Sequence, residues 1–480
     1  MNMINSKEYY TDLFSTGVPE MEKLIDVALE DGGDYADLYF ENTSYRDLYL
    51  RDGKVSSGGF HVDFGVGIRV LKGEKTGYAY SESTDMQSLM NAARAAAAIS
   101  RGIRAESEAK PTFPFKGKPN PAADRYPIVT GWRGCTMDSF VPVLTKLETL
   151  IRSKESRVVK VMAMLSTSVS DVMMFNSHLE FKYETRPMGT LAVSVVFNDG
   201  HAVQNNHCSR SFRMGAEMLT DELLEELASQ ATGKLDDRFE AIRPKGGRMP
   251  VVMGAGASGI LLHEAMGHAF EADFNRKGQS IFSDRMGTRV CREGITIVDD
   301  GTLKGNRGSL NFDDEGVPAQ RTCMVEDGIL TSYLHDRVSA GYYNVSPTGN
   351  GRRESFRYNP IPRMRATYME SGNDDPQDII ASVRKGIYVD EFANGQVKIG
   401  EGDFTFYVKH GYLIENGRLT RPVKDINIIG NGPKALADIV AVGNDGRVDN
   451  GAWTCGKEQS APVTCGIPTV LVNNLTVGGE

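Results

Sequence analysis

Apolar positions along the first hundred residues change their period twice, and each change marks an element. Val18, Met21, Leu24, Ile25, Val27, Ala28 and Leu29 recur at helical spacing over residues 18–31. Residues 36–41 and 46–51 then alternate apolar and polar side chains, the two-residue period of strands, and Asp52-Gly53 supplies a hairpin turn. Residues 65–71 and 76–81 predict a second strand pair around Gly73-Glu74. Helical spacing returns over residues 84–101, where Met86, Leu89, Met90, Ala93 and Ala96 make an alanine-rich face suited to close packing on a sheet. Prolines and lysines erase the periodicity from Lys110 to Pro127, which reads as a linker or long loop. A helix at about 139–154 follows, then strands near 157–168, 170–176 and 179–198. A turn at Asn198-Asp199-Gly200 and a helix over about 211–230 complete a half that mixes helices with antiparallel hairpins.

The pattern changes after Ile242-Arg243-Pro244-Lys245-Gly246-Gly247. Beyond Asn275, turn signals recur at Asp300-Gly301, Asp327-Gly328, Asn394-Gly395, Asn416-Gly417 and Asp445-Gly446, with alternating apolar residues between them. That spacing predicts an antiparallel, barrel-like or sandwich-like sheet, interrupted by one helix after Asp375-Pro376. At 480 residues the chain exceeds the ~250–300 at which single cores stop growing. The expected organisation is therefore α+β in two domains: residues 1–245, of mixed α/β layers, and residues 246–480, β-rich and barrel-like.

Candidate chemistry sits at the start of that second half. The run Leu261-Leu262-His263-Glu264-Ala265-Met266-Gly267-His268-Ala269-Phe270 places two imidazoles and a carboxylate in an otherwise apolar segment. Imidazole is a common zinc ligand, and a glutamate beside the first histidine can serve as general base. The spacing is H-E-x-x-x-H, one residue longer than the zinc-peptidase H-E-x-x-H. On a regular α-helix, positions five apart lie roughly 140° from one another, too splayed to share one ion. A π-type turn would bring His268 back over His263, so a helix regular to about Leu262 should distort before Ala269, with Gly267 supplying backbone freedom. The spacing alone is equally compatible with two unrelated buried histidines. Glu271 and Asp273 follow on the same segment, able to orient the imidazoles or to serve as solvated helix-end acids. His61, His178, His201, His207, His335 and His410 show no ligand spacing.

Residues 261–278, LLHEAMGHAFEADFNRKG, resemble the signature of the TldD branch of the TldD/PmbA metallopeptidases. The likeness continues through Asp299-Asp300-Gly301-Thr302, the run RGSLNFDDEG at 307–316, Gly430-Asn431-Gly432-Pro433 and Thr454-Cys455-Gly456-Lys457. It is dense in the C-terminal half and loose in the N-terminal half. The resemblance implies a zinc peptidase with one ion per chain, held by His263, His268 and Cys455, with Glu264 as the catalytic base. It implies a short or unfolded peptide as substrate, and a dimer around an enclosed cavity, formed with itself or with a PmbA-type sister that lacks the motif. Cys465 departs from the family pattern. If it also bound, His263, His268, Cys455 and Cys465 would close a four-ligand structural site, and the chain would be a regulatory binding protein. A non-haem iron oxygenase would need a carboxylate ligand, and Glu264, adjacent to His263, points away from its neighbour's metal.

Charge and composition narrow the classes. The net charge of −9 and the absence of any basic block disfavour nucleic-acid binding, although the family has also been labelled a modulator of DNA gyrase. No apolar run approaches ~18 residues, so no membrane span is expected. The polar first seventeen residues carry no export signal pattern. Six cysteines are too sparse for a disulfide scaffold. The expected location is the cytoplasm.

Overall fold

The computed structural model describes residues 6–101 and 124–479. The expected linker over residues 110–127 lies outside the described residues up to 123. Six strands make the first sheet, all paired antiparallel in the order β3-β2-β1-β4-β5-β6. They are β1 (Tyr35–Arg51), β2 (Lys54–Lys72), β3 (Lys75–Ser81), β4 (Val158–Asn176), β5 (Phe181–Asn198) and β6 (Val203–Phe212). β1 and β4 are each one long strand where the sequence pattern suggested two. The polar residues that interrupt the alternation face each other across the ladder: Thr43 pairs with Ser170, their hydroxyls 2.8 Å apart. β6 was missed because Val203-Gln204-Asn205-Asn206-His207 is polar on both faces, as an edge strand can be.

Helices α1 (Lys7–Leu13), α2 (Val18–Leu29) and α3 (Met86–Ala97) cover one stretch of this sheet, packing Leu24, Ala28, Leu89 and Ala93 on Leu38, Phe40 and Ile68. Helices α4 (Val141–Lys154) and α5 (Asp221–Thr232) cover another through Leu144, Leu147, Leu227, Leu165 and Leu191. α5 starts ten residues later than its apolar spacing suggested, at the point where the Thr220 hydroxyl accepts from the Leu223 amide as N-cap.

Five strands close a barrel in the second half: β7 (Gly247–Met253), β8 (Lys385–Lys398), β9 (Asp403–Glu415), β10 (Asn427–Asn431) and β11 (Val470–Gly478). The order is β8-β7-β11-β10-β9, with β9 pairing back to β8. The expectation of an antiparallel sheet needs correcting. β7 and β8 run parallel, as do Ala366–Met369 and Thr464–Ile467 in a second, smaller sheet. Long stretches of chain separate these partners, which allows the crossover that parallel pairing requires. Asn394-Gly395 is no turn either: it sits inside β8 beside a bulge in the β8–β9 ladder. Asp327-Gly328 and Asn416-Gly417 do turn, with positive φ at both residues of each pair. Among the described residues, no helix is long and apolar enough to cross a membrane.

Charge fills the contact between the first sheet and the loops of the second half. Arg69 on β2 is fully buried, with Nε 2.8 Å from Asp37 Oδ2 and another guanidinium nitrogen 2.5 Å from Glu315 Oε1. Arg186 on β5 bridges Glu184 and Asp314, and Arg353 lies over the Tyr39 ring at 4.2 Å. Replacing Arg69 by methionine would keep volume but leave Asp37 and Glu315 buried without their shared cation. Removing one partner of a buried pair costs ~3–5 kcal/mol, so Arg69→Met should move the urea unfolding midpoint sharply down. An unchanged midpoint would show that the two carboxylates find another cation or are neutral.

Candidate metal centre

From β7 the chain turns through Ala257–Gly259 into a short α-turn, Ile260–Leu262. The backbone then widens to a π turn over His263–Gly267, closed by the His268 amide on the His263 carbonyl, and tightens to 3₁₀ over His268–Phe270. The extra residue in the turn is what a five-residue spacing needs: the two imidazoles stand edge to face, 4.9 Å apart and 82° inclined. Leu261, Leu262, Ala265 and Met266 anchor this segment in one core with Phe392, Phe404, Phe406 and Ile428 of the barrel.

Gly267 does not serve as a source of backbone freedom. Its angles are ordinary for a helix (φ −55°, ψ −53°), and a Cβ there would meet Met364 Sδ at 2.1 Å. Gly432 is restricted in the same way, since its Cβ would lie 2.1 Å from the Ala265 carbonyl oxygen, inside the π turn. The Gly430-Asn431-Gly432-Pro433 run thus acts as a backbone wall behind the histidines.

The third donor arrives on a hairpin formed by Thr454–Lys457 and Gln459–Pro462. Cys455 Sγ lies 3.2 Å from His268 Nε2, and one ligand atom from each of His263, His268 and Cys455 falls within 4.8 Å of the other two. Arg363 fixes the hairpin, donating to the Cys455 carbonyl at 2.8 Å and the Gln459 carbonyl at 2.6 Å. Cys465 lines the same cavity but is not in the donor cluster. Burial, with Asp449 and Glu264 nearby, pushes its thiol well up, so it stays protonated and a poor ligand.

Surrounding groups favour a cation at this point. Burial opposes a thiolate at Cys455, but His263 and then His268 outweigh it and bring the thiol down to about 4. Burial likewise opposes charge on His268, yet Glu271 and the Cys455 sulfur lift it to about 10. Glu271 Oε2 accepts from His268 Nδ1 at 3.0 Å, which leaves Nε2 turned toward the sulfur. Glu271 is itself buried and ionised: burial raises its carboxyl, while Lys457 and His268 hold it down at about 2. Lys457 Nζ sits 3.0 Å from Glu271 and 2.8 Å from Asp273. Asp273 bonds to that lysine, and among the described residues no hydrogen bond joins it to either imidazole. Two imidazoles and a thiolate, oriented by a salt-bridged carboxylate, can hold a transition-metal ion.

Glu264 lines the same cavity, about 390 Å³ in volume, with Trp453, Gln396, Val397 and the three donors. Burial raises its carboxyl above the usual range, against the pull of the two imidazoles. Lys457 and Arg363 are the functional residues that sequence reasoning missed. Lys457 was visible in the Thr454–Lys457 motif, but nothing in the spacing tied it to Glu271.

Models of two PmbA/TldA metallopeptidase domains match the chain, the C-terminal domain over residues 246–479 and domain 1 over residues 36–100. It is 38% identical to a "Metalloprotease TldD homolog" of Haemophilus influenzae, covering 93% of both chains. The chain belongs to this family, on its TldD branch. A metalloprotease of Methanothermobacter thermautotrophicus, 32% identical, is covered to 97% of its length and 94% of this chain. In fold, this TldD-type chain is similar to TldE of Thermococcus kodakarensis, with a TM-score of 0.74 at 20% identity over 96% of this chain and 100% of the other. The metalloprotease names imply a metal cofactor, and Gly432 gives a way to disturb its candidate site from behind. A methyl group pressed against the Ala265 carbonyl should cost ~1–3 kcal/mol as overpacking and shift the π turn. Gly432→Ala should lower metal content at preserved helix content, measured by elemental analysis and circular dichroism. Full metal loading would mean that the turn yields without moving the histidines.

Proposed function

We propose that this chain is a zinc-dependent peptidase acting on short or unfolded peptides. His263, His268 and Cys455 hold one zinc ion, and Glu264 is the catalytic base. The observation that carries the reading is the convergence of three donors within 4.8 Å on a cavity that Glu264 also lines. Three ligands, two of nitrogen and one of sulfur, suit zinc with a position left for a reactant. When bound, the ion supplies Lewis acidity, which lowers the pKa of a water from ~15.7 towards ~7. Glu264 takes the proton from that nucleophile and returns it to the departing amine. With the ion bound, Glu271 would hold the one remaining His268 proton on Nδ1 and leave the Nε2 lone pair for the metal. Trp453, Ile260 and Val463 give the cavity apolar walls that restrict water.

The closed structural-zinc reading is disfavoured, because Cys465 stands outside the donor cluster and because a closed site would leave Glu264 without a task. The proposal includes residues 1–245 and 246–480 as two domains, the first built on one sheet and the second on the barrel and further sheets, and a dimer formed with itself or with a PmbA-type sister. A cytoplasmic setting is in keeping with six cysteines that form no disulfide.

Three variants test the assignment. Glu264→Gln should keep its zinc and fold while losing ~10²–10⁴ in rate on an unstructured fluorogenic peptide, as expected for a positioned acid–base group. Full activity in the zinc-loaded variant would refute the role of Glu264. Cys455→Ser should lose most zinc and all activity, whereas Cys465→Ser should keep about one ion per chain. Zinc retained in the first and lost in the second would mean that the other thiol is the ligand.

A further inference from the structure

Behind the Cys455 hairpin lies a second cavity, of about 280 Å³, between the first sheet and the loops of the second half. Arg213, Arg307 and Arg352 line it, each more than nine-tenths buried. Their partners are poor for such buried cations. Arg307 donates only to neutral oxygens: the Trp453 carbonyl at 2.9 Å and the hydroxyls of Ser211, Thr190 and Thr454 at 2.6, 3.4 and 3.1 Å. Arg352 reaches the Met364 carbonyl at 2.6 Å. The Arg213 guanidinium has no hydrogen-bond partner among the described residues, and its Nε is buried; it only lies over the Tyr126 ring at 5.9 Å. Burial drives Arg213 and Arg307 down to about 10, and Arg213 adds repulsion to both of its neighbours.

The carboxylates nearby are already engaged: Glu184, whose charge favours the Arg213 cation, is held by Arg186 and by the Tyr126 hydroxyl. Asp314 is engaged by Arg186 at 2.5 Å and by the Arg353 amide at 2.9 Å. Burial pushes Glu41 up to about 7, and Glu354 accepts from the Ser460 amide at 2.6 Å. Unpaired buried cations pressed together are costly unless an anion joins them. The lining also includes the β4 residues Ser166, Thr167 and Ser168, whose hydroxyls can donate as well.

We propose that this cavity is an oxyanion-binding site that takes a carboxylate or phosphate group, with Arg213 as its principal ligand. A planar guanidinium with free nitrogens suits two parallel hydrogen bonds to such a group. The oxyanion has two possible sources, the C-terminal carboxylate of a peptide or a free small anion. The peptide source is the one that ties the cavity to the neighbouring centre. Arg307 bonds to Thr454, Thr454 and Cys455 line the metal cavity, and Pro462 of the same hairpin lines this one. That source rests on the peptidase reading; the site itself does not.

Calorimetric titration of the whole chain in a zwitterionic buffer tests it with three probes: inorganic phosphate, an N-acetylated tripeptide acid, and its C-terminal amide. Using the Glu264→Gln background prevents cleavage, and since binding is the readout, an inactive enzyme would leave the result intact. Phosphate and the peptide acid should both bind, the amide at least ~10-fold more weakly, and Arg213→Gln should cost both anions ~10-fold or more, the size of one lost charged hydrogen bond. Arg213-dependent binding of phosphate, with acid and amide alike, would support the site and assign it to a free anion. Should Arg213→Gln fail to fold, Arg213→Lys keeps the charge but cannot form the paired bonds, and must also bind more weakly. Equal affinity for both anions in wild type and a folded Arg213 variant would overturn the proposal.

Discussion

One backbone hydrogen bond decides the geometry at the heart of this protein, the bond from the His268 amide to the His263 carbonyl. An ordinary helical turn would close one residue earlier and aim the imidazoles apart. The widened turn has no special residue inside it to enforce that choice. It is enforced from outside, by Met364 against Gly267, by the Gly432 backbone against Ala265, and by leucines sunk in the barrel core. Tertiary packing thus selects a backbone form that local propensity would not.

Charge is handled in the interior by compensation at two places. At the donor cluster, Lys457 neutralises Glu271, which in turn orients His268, so three buried groups form a chain ending on the candidate metal. At the contact between the sheet and the loops, Arg69 serves Asp37 and Glu315 while Arg186 serves Glu184 and Asp314. The arginines behind the Cys455 hairpin are not compensated in this way. Arg365 shows that a buried arginine here can also rest on a carbonyl oxygen, so it is the lack of any hydrogen-bond partner for the Arg213 guanidinium among the described residues that points to a ligand.

Much of this was legible in the sequence. Strong periodicity gave the helices at 18–29, 86–97 and 141–154, and the glycine-punctuated turns gave a β-rich second half. Two histidines in an apolar run were legible as candidate donors from the residues, whereas Cys455, one of six cysteines, was singled out only by the family resemblance. The π turn followed from the spacing once both histidines were required to share one ion. What escaped notice lacks a local signature. β6 is polar on both faces, and the parallel seams of the barrel depend on partners far apart in sequence. Gly267 is a glycine because of Met364, nearly a hundred residues on. The Lys457–Glu271 pair spans an even longer interval.

His268 and Cys455 are separated by 187 residues. During translation the histidine pair leaves the ribosome long before the thiolate that completes the cluster. The intervening chain contributes most of the barrel and the walls of the cavity. A nascent chain therefore carries only two of the three proposed ligands, a set that would hold an ion poorly. The order of synthesis alone delays the proposed activity until the hairpin with Cys455 has been made and folded back, with no removable propeptide needed for the delay.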